Sequence, residues 1–460
     1  MMSLSQAARA VSGTPVGPDA KFLSVSTDSR GPVRGALFVA LRGERFDGHD
    51  FVDQALASGA AGAMVDREWH AASRAGGQHA LVVVEDTRSA LGRLAEHWRS
   101  RFSLPLIGVV GSNGKTTVKE MIASILRERF GERSTLATEG NLNNDIGLPL
   151  TLLRLDENHR AAVIEIGMNH RGETALLGAI AKPTIGLINN AQREHQEFMR
   201  SVADVAHEHA SLFASLQPDA CAVWNADDAF APVWREAARA AGARARDFGV
   251  EQPAAVRGRF VLGDFSSDIT IETSEGVARF SLPLPGLHNV RNALAAAAAA
   301  TEAGADLGCV ERALSRFRGV KGRQQRTASR AGAVVIDDTY NANPESVRAA
   351  IDVLAGLAPP TVLVLGDMGE VGEQGAAFHR EVGAYARSAH LSHLFVLGEL
   401  SRHAAEAFGQ GAAHAGSLDA LLAMVREHDR AGTTLLVKGS RFMRMERVVA
   451  ALTGTEGKPH

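Results

Sequence analysis

The chain has 460 residues, enough for about three domains. Forty-nine Lys and Arg against 52 Asp and Glu leave a formal charge of −3, and aromatic residues make up only 5%, so neither a basic nucleic-acid face nor a stacking platform for single strands is expected. A hydrophobic content of 45% excludes a disordered or fibrous chain.

The opening MMSLSQAARAVSG has no apolar core of signal-peptide length, and no uncharged apolar run reaches membrane-spanning length. Cys221 and Cys309 have no metal-ligand or redox spacing. A soluble, cytoplasmic protein without stable membrane insertion is expected, its cysteines buried in a reducing compartment.

Strand-like apolar runs alternate with helical ones, the pattern of α/β architecture with parallel sheets. In chain order, strands are predicted at 81–84, 106–110, 162–166, 184–188, 334–336, 361–365, 394–397 and 434–437. Helices are predicted at 89–101, 115–127 and 346–357, and the alanine-rich stretch 293–300 reads as a buried helix. Alternating segments within 257–284 predict a β-rich insert. Breaks before the strand at 106 and across the charged, Gly-rich stretch 316–332 divide the chain into 1–86, 87–318 and 319–460.

Residues 106–117 read Leu-Ile-Gly-Val-Val-Gly-Ser-Asn-Gly-Lys-Thr-Thr. A buried strand running into a glycine turn, then Lys and Thr opening a helix, is how a chain builds a triphosphate cradle. Amide groups freed at the turn face the phosphates, and the helix dipole favours their charge. Gly111 and Gly114 permit close backbone approach. Ser112, Asn113 and Thr117 complete the loop, Lys115 offsets phosphate charge, and the Thr116 hydroxyl reaches Mg²⁺. The strict pattern asks for glycine where Val109 stands, so this is a shortened variant; the plainer reading is a strand–turn–helix with a surface lysine.

Phosphoryl chemistry also needs a carboxylate for the metal. Glu165 is an acid within an otherwise apolar strand, which calls for a partner or a cation unless it ends the strand in solvent. His195 follows the strand 184–188, at the strand ends where α/β sheets place ligands. His207 and His209 are two apart and do not share a helix face.

Further stretches carry a resemblance: Gly140-Asn-Leu-Asn-Asn-Asp-Ile-Gly-Leu-Pro-Leu-Thr-Leu-Leu153, Asn225-Ala-Asp-Asp228, Gly286-Leu-His-Asn-Val-Arg-Asn292 and Asp337-Asp-Thr-Tyr-Asn-Ala-Asn-Pro344. Together with the phosphate loop they resemble the Mur ligase family, in order and over nearly the whole chain. The resemblance implies a small α/β substrate domain, a central P-loop parallel-sheet ATPase-like domain with the β-rich insert, and a C-terminal Rossmann-like α/β domain. It implies an ATP- and Mg²⁺-dependent amide ligase of peptidoglycan synthesis, acting in the cytoplasm as a monomer and serving cell shape and division. Tyr340-Asn-Ala-Asn-Pro344, and the lack of an Asp-Asn-Pro-Arg motif, point within the family to D-Ala-D-Ala as the amine and UDP-MurNAc-tripeptide as the acceptor.

Residue by residue, the resemblance implies that Lys115, Glu165 and His195 are catalytic, with Thr116, Glu165 and His195 near metal. Asn289 faces adenine, Asp338 the ribose and Arg323 the phosphates. Asp28, Ser29, Arg30, Asp47, Gly48 and His49 look like a uridine-nucleotide pocket. Asn143 and Asn144 contact the nucleotide-peptide, and Tyr340, Asn341 and Asn343 also contact substrate. Many members carry a carbamylated lysine where this chain reads Val205-Ala-His-Glu-His-Ala-Ser-Leu-Phe213, leaving His207, Glu208 or His209 at that place. Plainer readings remain for three stretches: 286–292 as a helix-opening turn, 337–344 as a strand-end turn with Pro344 first in a helix, and 438–441 as a solvated loop.

Overall fold

The structure is a computed structural model and describes residues 1–73, 79–217 and 219–455. Among the described residues three large sheets follow one another along the chain, besides a two-stranded pairing of Met2–Ser3 with Lys21–Phe22. The first has five strands in the order Thr14–Val16, Leu81–Val84, Gly62–Asp66, Ala36–Val39, Ser24–Ser26. It is parallel except for Thr14–Val16 at one edge.

The middle sheet has nine strands. Leu106–Val110 is third from one edge, parallel to Ala161–Glu165 on one side and Ile185–Ile188 on the other. Thr135–Ala137 closes one edge, and Cys221–Asn225 and Arg244–Gly249 extend the other. The expected β-rich insert is not a separate body. Val256–Leu262 pairs with Arg244–Gly249 in parallel, and Ser267–Thr273 and Gly276–Leu282 follow antiparallel, so the insert lengthens the middle sheet. Its alternating pattern reflects one face packed inward and one in water.

The helix Lys115–Phe130 begins after Gly114 at φ 81° and stops at Gly131 at φ 96°, left-handed positions that glycine adopts freely. The alanine run lies inside Leu287–Glu302, and Ala293 to Ala300 are all buried, with Leu294 the one side chain among them larger than alanine. Small side chains let this helix lie close to both the sheet and Lys115–Phe130, while alanine keeps its helix propensity.

The last sheet has six strands in the order Gln325–Ala328, Val334–Asp338, Thr434–Lys438, Thr361–Gly366, His393–Leu397, Ala412–Ala415, parallel except for Gln325–Ala328. The predicted strands and helices are all present, most within two residues at their ends; the helix expected at 115–127 runs on to Phe130, and the alanine-rich one begins at Leu287. Thr87–Arg99 and Pro344–Ala355 start two residues before their expected positions because Asp86 and Asn343 cap them.

The first and middle units share one continuous apolar core, running from Met2 through Leu91 and Trp98 to Trp234. Thr87–Arg99 is the joint. It packs on Gly147–Leu152 and Glu173–Ala181, with Trp98 donating to the Leu155 carbonyl at 2.9 Å and Arg99 to the Ala181 carbonyl at 3.2 Å. The last unit has its own cores and meets the middle one mainly through polar side chains. Among the described residues no helix is long and apolar enough to cross a membrane.

Candidate active site between the middle and last units

A cavity of about 730 Å³ opens at the C-terminal ends of the middle strands, under the last unit. The strand register places it. Glu165 pairs with Val109, and Ile188 with Val110, so the phosphate turn, Glu165 and the segment after Ile188 emerge side by side. Val334–Asp338 and Thr434–Lys438 end opposite them, with Asp338 beside Lys438.

The turn itself is tied down by the segment after Ile188. Asn113 donates its amide to Asn190 Oδ1 at 2.8 Å, and Gln192 donates its amide to Ser112 Oγ at 2.8 Å. Gly111 has φ 145° and Gly114 φ 81°. A β-carbon on Gly114 would lie 2.5 Å from Asn292 Oδ1, so the sequence at these positions is fixed by close approach as well as by dihedral.

Lys115 is mostly buried and donates to the carbonyls of Gly111 and Ser112 and to Glu194 Oε2, the last at 3.2 Å. Thr116 and Thr117 are buried. The Thr116 hydroxyl accepts from Arg323 Nη2 at 3.0 Å, and that guanidinium stacks 4.3 Å over the Tyr340 ring. Arg323 thus reaches from the linker to the phosphate loop.

Glu165 is 3% exposed, which rules out the solvent-facing alternative. Its Oε1 accepts from Asn143 Nδ2 at 2.8 Å, and Oε2 has no hydrogen-bond partner among the described residues. A buried, unpaired carboxylate oxygen beside a phosphate cradle fits a cation ligand. Among the described residues no three His, Cys, Asp or Glu side chains gather as a metal cage; a cation on Glu165 would share ligands of other kinds, such as a hydroxyl, phosphate oxygens and water. Asn144 also lines the cavity, and its Oδ1 accepts the Gly147 amide at 2.9 Å, opening the helix Gly147–Leu152.

His195 lies in the cavity wall in a left-handed conformation, φ 49°. Its Nδ1 is 2.6 Å from Glu370 Oε2, an ion-pair approach without hydrogen-bond alignment. His195 holds the Glu370 carboxyl below its usual range against the opposing effect of burial. Sequence reasoning missed the neighbouring residue, Glu194. Burial alone would raise its carboxyl, but the Lys115 ammonium, the His209 hydrogen bond and the charges of His209 and His195 hold it at about 2. His209 Nε2 lies 3.1 Å from Glu194 Oε1, and a carboxylate only accepts, so Nε2 carries the proton. Glu208 is spent on the Gly172 and Thr174 amides, at 2.9 Å each, and His207 is exposed. Of those three, His209 alone reaches the site. The available signal was an acid next to His195, just past a buried strand.

The nucleotide-facing residues also converge. Asn289 is buried and donates to the Pro285 carbonyl and Gln324 Oε1. Asp338 accepts from Lys438 Nζ at 2.7 Å, and Lys438 also donates to the Asn341 carbonyl. Lys438 is 3% exposed, so the solvated-loop reading of that stretch does not hold. Asn343 caps Pro344–Ala355 and exchanges amide hydrogen bonds with Asn113 across the two units. Arg193, also unnoticed in the sequence, bridges the units by pairing with Glu345 and Glu381 at 2.5 and 2.7 Å.

The first-unit candidates lie elsewhere. None of Asp28, Ser29, Arg30, Asp47, Gly48 and His49 lines this cavity. Asp28 and Arg30 are exposed and pair with each other. His49 is buried, its Nδ1 2.6 Å from Asp47 and its Nε2 accepting the Asp66 amide at 3.1 Å. Within the described structure His49 knits that unit together.

Family models match along the chain: "Mur ligase family, catalytic domain" over 21–99, "Mur ligase middle domain" over 109–300 and "Mur ligase, glutamate ligase domain" over 322–441. UDP-N-acetylmuramoyl-tripeptide–D-alanyl-D-alanine ligase of Escherichia coli (strain K12) is 38% identical, covering 98% of both chains. The crystal structure of MurF from Acinetobacter baumannii superposes with a TM-score of 0.89 at 34% identity, covering 99% of each chain. MurF ligase from Thermotoga maritima, solved in complex with ADP, gives 0.80 at 25% identity over 93% of this chain and 96% of that one. With three successive domains matched and full-length relatives of the same architecture, the chain belongs to the Mur ligase family.

Proposed function

We propose that the chain joins D-alanyl-D-alanine to UDP-MurNAc-tripeptide at the expense of ATP, making the UDP-MurNAc-pentapeptide precursor of peptidoglycan in the cytoplasm, as a monomer. The observation that carries the reading is a single cavity in which a phosphate loop, an unpartnered buried carboxylate and a buried Asp338–Lys438 pair face one another. A bare ATPase has no use for Tyr340, Asn341 and Asn343, which a separate domain adds to the same cavity.

In this reading 1–86 holds the uridine end of the acceptor, 87–318 holds ATP, and 319–460 closes over both. ATP transfers its γ-phosphoryl to the C-terminal carboxylate of the tripeptide. That turns an oxygen that cannot leave into part of a phosphate that can. The dipeptide amine then attacks the acyl carbon, loses a proton and expels phosphate. Lys115 and the loop amides hold the phosphates, and Arg323 adds a second cationic contact from the linker. Thr116, Glu165 and His195 would hold Mg²⁺, which would neutralise phosphate charge and polarise the transferred group. Asn289 faces adenine and Asp338, held by Lys438, the ribose. Asn143 orients Glu165, while Asn144, Tyr340, Asn341 and Asn343 bound the acceptor side.

Phosphate release tests this, with ATP and Mg²⁺ present and each of the other two substrates omitted in turn. Release that needs both, with a UDP-pentapeptide product, is expected. Release indifferent to both would leave only an ATPase.

A further inference from the structure

We propose that Glu194 makes the phosphate site selective for nucleotide complexed to a divalent cation, by withholding Lys115 from uncomplexed nucleotide. This rests on the reading of 111–117 as the phosphate cradle and adds to it a residue with a different task from the cation ligand.

An ammonium has three donors. Lys115 spends all three inside the protein, on the carbonyls of Gly111 and Ser112 and on Glu194 Oε2. Glu194 cannot easily give way. Its residue is 7% exposed, its other oxygen faces His209 Nε2 at 3.1 Å, and its amide donates to the Gln192 carbonyl at 2.9 Å. Gln192 is in turn bound to Ser112 of the loop. His195 Nε2 stands 3.7 Å from the same Oε2 that Lys115 uses. The carboxylate is therefore fixed beside the position the phosphates take.

A polyphosphate entering the cradle must draw at least one Lys115 donor away from its present partners. It then meets Glu194 as a competitor and as a like charge held in place by the protein. A cation carried on the phosphates cancels that repulsion. Glu165 has an oxygen without a partner and so can ligate; both Glu194 oxygens already have protein partners, so its effect is exclusion. A charge about 4–6 Å away shifts an ionisation by about 1–3 units, and the same coupling acting on a bound anion is a factor on the order of 10 to 1,000.

Calorimetric titration of the full chain with ADP, once in excess Mg²⁺ and once in EDTA, tests this. The parent chain is expected to bind far more tightly in Mg²⁺. Glu194→Gln should narrow that gap by about tenfold or more, through tighter binding in EDTA, while Glu194→Asp should keep it. Glu194→Ser is a second neutral variant that serves if the Gln chain does not fold. An unchanged gap in the neutral variants overturns the proposal. So does a gap narrowed only by weaker binding in Mg²⁺, which would make Glu194 a cation ligand. Absence of ADP binding by every chain in both buffers would instead remove the nucleotide-site reading, and this proposal with it.

Discussion

Replacing Gly114 by alanine tests whether the phosphate turn is held by geometry. Gly114 has φ 81°, a conformation that costs an L residue about 1–2 kcal/mol. The new β-carbon would lie 2.5 Å from Asn292 Oδ1 and 2.8 Å from Asn189 Nδ2, atoms that hydrogen-bond each other at 3.0 Å. Both asparagines are buried, and Asn189 Nδ2 also donates to the Asn113 carbonyl, so neither can retreat without leaving a polar atom unpaired. One such loss costs about 1–3 kcal/mol. The two terms give about 2–5 kcal/mol, relieved when the loop leaves its cradle geometry. Affinity for ADP in Mg²⁺ should accordingly fall on the order of a hundredfold or more. Titration calorimetry reads this directly. Gly131→Ala is the control: it lies at the other end of the same helix with φ 96° and nothing within 4 Å of a new β-carbon. It should cost stability in urea denaturation and leave ADP binding alone. A Gly114→Ala chain that binds ADP like its parent would refute the close-approach argument.

Lys115→Ala should abolish phosphate release while the chain still folds by circular dichroism; retained turnover would mean the cradle is misassigned. Glu165→Gln keeps an acceptor for Asn143 but removes the charge, so turnover should fall about a hundredfold or more and half-saturation should require more Mg²⁺. Arg193→Ala removes the ion pairs with Glu345 and Glu381, so small-angle scattering of the ligand-free chain should show a larger radius; unchanged dimensions would show that the pairs do not hold the last unit. Glu194 titrates at about 2 against an ordinary 4.5. A depressed carboxyl stabilises the fold above its unfolded value and loses that contribution as pH falls. Denaturant midpoints should therefore drop between about pH 4.5 and 2, with a shallower drop in Glu194→Gln.

Several elements legible in the sequence have a pattern set by burial on both faces, although Ala36–Val39, Gly62–Asp66 and Cys221–Asn225 are buried throughout and still escaped notice. Leu106–Val110, Thr361–Gly366 and Thr434–Lys438 are continuous apolar runs because helices cover the sheet above and below. Arg244–Gly249 escaped notice because it is half exposed and carries two arginines, which pair with Glu302. Thr135–Ala137 and Gln325–Ala328 are too short to show a period. The phosphate loop was readable because its function is local in sequence. Glu194 was not: its meaning depends on Lys115 and His209, which lie 79 and 15 positions away. Lys438 looked like a surface charge until Asp338, 100 positions away, was placed beside it.

The core shared by the first and middle units has a mechanical consequence. Two bodies fused through Leu91, Trp98 and the strands on either side cannot rotate against each other without opening apolar surface to water, which costs about 25 cal/mol for each Å² exposed. The last unit carries less of that penalty, since its seam is mainly amides, carboxylates and guanidinium groups that water can replace, with Phe265 of the middle unit packed against its core. Heat should divide the chain along that same line. The molecule should melt as two cooperative blocks, with the first two sheets giving way together, and a ligand spanning the seam should draw the two transitions into one.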